Sequence, residues 1–169
     1  QSYVSSAFYK YGQDSDQNSS HLVSRADRRN ATLVLRINKD PGKGLKQNLE
    51  VILNGRVVER FIVTTGNPNR WVTLKSGVRK KSSETPSGWF TIHHADINAW
   101  SNTYSSSMPY ALFFLEGKNG PNAFAIHAHY DVTGYRGSGG CVRMRNADAA
   151  AVWRYVMSVG TANTLINVR

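Results

Sequence analysis

Cysteine is all but absent from this chain: Cys141 is the only one among 169 residues. An intrachain disulfide is therefore excluded, and so are CxxC redox motifs and multi-thiolate zinc sites. Long hydrophobic runs are missing as well. The longest, Tyr110 to Leu115, falls far short of the roughly 20 residues that a helix needs to cross a bilayer, so no membrane span is expected. No stretch reads as a signal peptide, and a first residue of Gln1 leads us to expect a processed chain. Acidic residues are scarce, 11 against 21 Lys and Arg, for a formal net charge of +10. That balance favours anionic partners. Nucleic acid is not the one expected, because no zinc-finger spacing, helix-turn-helix pattern or aromatic RNA-binding signature accompanies the charge. The basic residues are dispersed apart from Arg79-Lys80-Lys81 and the segment from Arg25 to Arg29. There is no HExxH, and a metal site built from His93, His94, His127 and His129 is not expected.

What remains is a chain of one-domain length, ample for a single core. Residues 1–30 are polar, with the run Asp14 to Ser20 especially so, and read as an N-terminal arm or linker; Val4, Phe8, Tyr9 and Tyr11 are its means of docking, as a short helix. Strand signals begin at Thr32. Asn54-Gly55 between the apolar runs Asn48 to Leu53 and Arg56 to Thr65 predicts a two-residue hairpin, since both central positions need positive φ. Residues 66–88 read as loops, Trp89 to His93 as a strand and 96–109 as irregular. Tyr110 to Leu115 and Ala123 to His129 follow as strands on either side of a loop at Gly117 to Pro121. From Ala147 to Val159 the residues Ala149, Val152, Trp153, Val156 and Met157 recur at helical spacing, with Asn146 as N-cap, Asp148 in the first turn and Gly160 as the stop. Thr164 to Val168 closes the domain as a strand. The sum is a mainly β domain over residues 31–169, sandwich- or barrel-like, with one helix after the cysteine and no internal repeat.

Chemistry concentrates between Ala125 and Arg145. A lone cysteine is most often a small buried hydrophobe, but Ser138, Gly139 and Gly140 lead directly into Cys141, and His127 lies fourteen residues upstream on a strand. A cysteine attacks as thiolate, and a neighbouring imidazole can hold its proton. Consecutive glycines let backbone N–H groups face a developing oxyanion, with Gly140 and Cys141 as the expected donors. Arg143 offers a planar fork for a substrate carboxylate, its plainer use being a pair with Asp131 or Asp148. His129 supports the site or belongs to the surface. Tyr110 and Tyr130 are candidates for lining the cleft, and Thr85 to Gly88 reads as a turn with no catalytic part.

Ile126-His127 followed by Ser138-Gly139-Gly140-Cys141-Val142-Arg143-Met144 resembles the catalytic signature of the L,D-transpeptidase (YkuD-like) family of bacterial cell-wall enzymes. Thr64-Thr65-Gly66, Thr85-Pro86-Ser87-Gly88-Trp89-Phe90 and Met108-Pro109-Tyr110 are similar to further family segments, so the likeness covers residues 31–169. The chain departs from the pattern at Ala128, where glycine is common, and at Gly139, where histidine or arginine is. The resemblance implies that Cys141 attacks a peptidoglycan stem tetrapeptide at its L-centred diamino acid. D-alanine then leaves with a proton from His127, and the acyl group passes to a second stem peptide, an anchored protein or water. It also implies a periplasmic or cell-wall location, no cofactor, and a third partner for His127 that is a backbone carbonyl or Asp131.

Two other readings are kept. A wall-binding module would retain the fold with little chemistry, and thiol labelling separates it, because an activated Cys141 should react fast at neutral pH. A papain-like protease shares the chemistry but places cysteine before histidine, the reverse of the order here.

Overall fold

The computed structural model describes residues 23–117 and 120–169, with the side chains of 120–122 excepted. The expected docking of Val4, Phe8, Tyr9 and Tyr11 lies outside the described residues. In chain order the elements are α1 (Arg25–Asn30), β1 (Leu33–Asn38), β2 (Asn48–Leu53), β3 (Arg56–Thr64), β4 (Trp71–Thr73), β5 (Arg79–Lys81), β6 (Gly88–Thr91) and β7 (His94–Ser101). They continue with β8 (Ser106–Gly117), β9 (Gly120–Ala128), β10 (Val142–Met144), α2 (Asn146–Val159), a 3₁₀ turn (Thr161–Asn163) and β11 (Thr164–Val168).

Nine strands form one sheet in the order β6-β11-β1-β2-β3-β10-β9-β8-β7, and β4 pairs with β5 alone. The hairpin at Asn54-Gly55 forms as expected, with φ of 49° and 81° at its two residues. Most neighbours are antiparallel. The two parallel pairs are β1 with β11 and β9 with β10, and the second of these sets the site. The sheet curls until its far strands meet: Phe90 of β6 and Phe114 of β8 sit with ring centroids 5.2 Å apart. Helix α2 packs over β8, β9 and β1, laying Ala149, Val152 and Val156 into the core with Leu33, Leu35, Ile126, Val142 and Met144. Phe114 is fully buried at the centre. Phe114→Ala is expected to lower the unfolding free energy by about 3–5 kcal/mol, read from urea denaturation.

The structure differs from the sequence reading in several places. Residues 96–109 are not irregular but carry most of β7 and the start of β8, paired from Ser101↔Ser106 to His94↔Phe113. The segment 66–88 holds the short strands β4 and β5 besides its loops. Asn146 is the first helical residue rather than the cap; Arg145 holds the cap position and its side chain makes no capping bond. Met157 is exposed on α2. In the amino-terminal segment, Ser24 and Asp27 close a capping box on α1. Val23 is buried with Val34, Ile52 and Leu165, and the Arg28 guanidinium lies 5.0 Å from the Trp89 ring.

Candidate active site

Strand alternation decides which residues can meet. In the parallel pair of β9 and β10, Val142 stands opposite Ile126, Arg143 opposite His127 and Met144 opposite Ala128. Ile126, Ala128, Val142 and Met144 all enter the main core. Side chains alternate across a sheet, so His127 and Arg143 share the other face with Ala125 and Cys141. There Cys141 is half-buried against Ala99, Met108, Ala111, Phe113 and Ala125. Cys141 stands immediately before β10, whose paired neighbour β9 carries His127.

The histidine is held by its own strand end. His127 Nδ1 lies 2.8 Å from the Ala128 carbonyl oxygen. Nδ1 must donate there, which leaves Nε2 as the free lone pair. Asp131 does not fill that role: its carboxylate is 3.6 Å from Arg143 Nη1, and its N–H donates to His129 Nδ1 at 2.9 Å. Of the two acids weighed as partners of Arg143, Asp131 is the one that pairs.

Burial sets the charge state of the pair. Desolvation pulls His127 down to about 4, and its bond to Ala128 and the charge of Arg143 are smaller influences. Desolvation pushes the Cys141 thiol up, against a backbone bond at Ala125 and the positive charges of Arg143 and Lys80. Both shifts favour the uncharged forms of the two groups.

The loop between β9 and β10 is docked along the end of β3. Gly137 and Ser138 donate N–H bonds to the Thr65 carbonyl at 2.9 and 3.0 Å, and Asn67 N–H donates to the Ser138 carbonyl at 3.0 Å. Thr133 N–H reaches Thr64 Oγ1 at 2.8 Å. Arg136 spans to Asp40 at 2.7 Å and Glu84 at 2.8 Å. The Thr64-Thr65-Gly66 segment is thus the rail on which the cysteine loop rests. Gly66 has no room for a side chain, since a Cβ there would come 1.9 Å from the Ser83 carbonyl oxygen.

Within the loop, Ser138 is buried, accepts the Gly140 N–H at 3.2 Å and donates to the Cys141 carbonyl at 2.5 Å. Gly139 C=O accepts from Ser83 N–H at 3.0 Å. Gly140 has φ of 146°, which suits glycine, and a Cβ there would meet the Phe124 ring at 3.0 Å.

Of the flanking residues, His129 stands edge-on to His127 at 6.2 Å and stacks on Tyr130 at 4.5 Å. Tyr130 is 95% exposed and forms the outer rim. Tyr110 is a correction. It carries φ of 58° and sets its ring against Trp153 of α2 at 6.1 Å, on the helix-covered face away from Cys141. Tyr104 takes a place at the site that the sequence did not assign. Its ring lies over Gly139, where a Cβ would fall 2.4 Å from the hydroxyl, and Lys80 Nζ sits 5.4 Å from the ring. Burial and the nearby Cys141 raise the Tyr104 hydroxyl. Arg70 is a second omission; it donates to the Gly137 carbonyl at 2.7 Å and depresses Arg143 through like charge, second to burial. Lys80 belongs to the Arg79-Lys80-Lys81 run, the one sequence signal that touched this side of the cleft. Among the described residues, no group of three His, Cys, Asp or Glu is arranged to hold a metal ion. No helix among them is long and apolar enough to cross a membrane.

A search of curated protein sequences finds no match. Solved structures do match. The L,D-transpeptidase (residues 123-326) of Xylanimonas cellulosilytica is similar at 26% identity and a TM-score of 0.62, over 82% of this chain and 61% of that one. An L,D-transpeptidase of Mycobacterium smegmatis aligns at 14% identity and TM-score 0.59, covering 82% and 59% of the two chains. One from Stackebrandtia nassauensis aligns at 19% and 0.58, covering 82% and 55%. The last two are likenesses of fold. The chain spans 55% to 61% of the length of these three. The family model for the L,D-transpeptidase catalytic domain (YkuD) matches residues 42–168, from before the hairpin through the closing strand. That match takes in the curled sheet apart from β1, the β3 rail and the cysteine loop together, and the chain belongs to the L,D-transpeptidase catalytic-domain family.

Proposed function

We propose that this chain is a cysteine acyltransferase acting on peptidoglycan stem tetrapeptides. The observation that carries the reading is the imidazole of His127, tied through Nδ1 to Ala128, on the strand that pairs with the one Cys141 leads into. His127 Nε2 takes the thiol proton as sulfur bonds to the carbonyl carbon of the diamino acid, and the carbonyl π pair moves to oxygen. As that oxyanion collapses, the C–N bond to D-alanine breaks. His127 returns its proton to the departing amine, and a thioester remains on Cys141. An amine of a second stem peptide or of an anchored protein then takes the acyl group. Because Gly140 N–H is turned to Ser138, the Cys141 N–H is the first oxyanion donor, worth about 2.7–4 kcal/mol of barrier. Arg143 and Arg70 supply positive charge for the substrate carboxylates, with His129 and Tyr130 at the rim. The work site on this reading is the periplasm or cell wall, where the substrate lies.

Water is the second acceptor, which would make the chain an L,D-carboxypeptidase; a thiol that is only half-buried leaves a path for it. Incubation with disaccharide-tetrapeptide and mass spectrometry of the products separates the two. We expect loss of D-alanine with joined stems. Free tripeptide alone would assign the carboxypeptidase, and untouched substrate would overturn the enzyme reading for stem peptides.

A further inference from the structure

The Thr85-Pro86-Ser87-Gly88 turn, read in the sequence as having no catalytic part, touches the nucleophile's own peptide bond. Thr85 is fully buried. Its hydroxyl accepts the Gly66 N–H at 3.0 Å and lies 2.6 Å from the Gly140 carbonyl oxygen. An amide N–H can only donate, so the hydroxyl proton has one direction left, toward Gly140. The Thr85 carbonyl is itself held at 2.7 Å by the buried ammonium of Lys39, which is also 3.6 Å from Glu84. Thr85 is thus fixed at both side chain and backbone.

A trans peptide points its C=O and N–H in opposite directions. Holding the Gly140 carbonyl inward, against Thr85, therefore turns the Cys141 N–H to the opposite side of that peptide, away from Thr85. The bond from Ser138 Oγ to the Cys141 carbonyl fixes the other side of the same residue. We propose that Thr85 is a positioning residue for acyl transfer: its hydroxyl pins the Gly140–Cys141 peptide so that the Cys141 N–H faces the oxyanion. The inference deepens the acyl-transfer reading and rests on it for the existence of that oxyanion.

The test compares two reactions of the same sulfur in the intact chain. Acylation by p-nitrophenyl acetate passes through a tetrahedral oxyanion, whereas alkylation by iodoacetamide displaces iodide at a saturated carbon and forms none. Both rates are taken at one pH, with Cys141→Ala as background. Thr85→Val keeps the shape and removes the hydroxyl. It is expected to slow acylation by about 100-fold, the lower end for loss of one oxyanion donor, with alkylation within about twofold of wild type. Thr85→Ser, which keeps the hydroxyl, is expected to restore the wild-type ratio. Acylation and alkylation falling together would make Thr85 a structural residue only, and neither falling would remove it from the site; either overturns the proposal. Should Thr85→Val fail to fold, Thr85→Ser still decides, because a tenfold or greater drop in its acylation-to-alkylation ratio contradicts a role for the hydroxyl alone. The ester is not a stem peptide. A wild type that ignores stem peptides but acylates with the ester would therefore sink the substrate reading and leave this one standing.

Discussion

Cys141→Ala is expected to fold normally and to lose D-alanine release from stem tetrapeptides by about four to six orders of magnitude in kcat, the scale seen when a covalent nucleophile is deleted. The fold should survive because the thiol sits half-buried at one end of a small cluster, Ala99, Met108, Ala111, Phe113 and Ala125, apart from the main core. Removing one sulfur there leaves no buried charge. The loss of rate should be almost complete because no second thiol exists to substitute. Circular dichroism and thermal melting check the first expectation, and mass spectrometry of released D-alanine the second. Cys141→Ser gives a sharper comparison: it keeps a nucleophilic atom in place, yet the hydroxyl holds its proton far more tightly than a thiol, so its residual rate should also be very small. Turnover by the Ala variant within tenfold of wild type would remove Cys141 as nucleophile, and the cysteine acyltransferase reading with it.

The parts of this site that could be read from the sequence are those whose chemistry is local. Asn54-Gly55 needs positive φ at both positions and announces its hairpin. The spacing of Ala149, Val152 and Val156 announces α2. Ser138 to Cys141 combines a lone thiol with glycines and marks the candidate nucleophile. The parts that escaped depend on partners distant in sequence. β7 was hidden because its buried positions are Ala95 and Ala99, residues too small to raise an apolar alternation. Tyr110 lies within β8, between Met108 and Ala111 that pack beside Cys141, but its left-handed backbone and the Trp153 ring turn it to the opposite face. The pull of burial on His127 and Cys141, toward their uncharged forms, is something no spacing expresses. Thr85 lies 55 residues from the carbonyl it holds, and Arg70 lies 67 residues from its partner Gly137. Both look like ordinary turn and surface residues until β3 and the cysteine loop are laid side by side.

His127 carries the second large effect, and the pH dependence follows from it. His127→Gln is expected to lower kcat for D-alanine release by at least about 10³, because the variant can neither take the thiol proton nor return it to the amine. Stability should change in the opposite sense at low pH. Burial holds the imidazole down to about 4 in the fold, below its ordinary 6.5, so between those values the unfolded chain binds the extra proton. Stability is then unaffected above about pH 6.5 and falls as pH drops toward 4, by roughly 3 kcal/mol in full. Urea melts of His127→Gln should lack that slope. The thiol adds the complementary limb: its folded value is raised, so the unfolded chain loses the proton first and stability falls again at alkaline pH. An acid limb near 4 in kcat/KM is shared by a neutral pair and by a thiolate–imidazolium pair, so activity alone does not tell them apart. Alkylation does. With both groups neutral, iodoacetamide should react slowly with wild type at pH 7 and speed up only as the raised thiol ionises; a fast, pH-independent plateau from about pH 5 would mean an ion pair. Slow labelling at pH 7 is therefore not the mark of an inert cysteine here, because a neutral thiol beside a neutral, oriented imidazole becomes nucleophilic only as the proton moves during attack on a carbonyl.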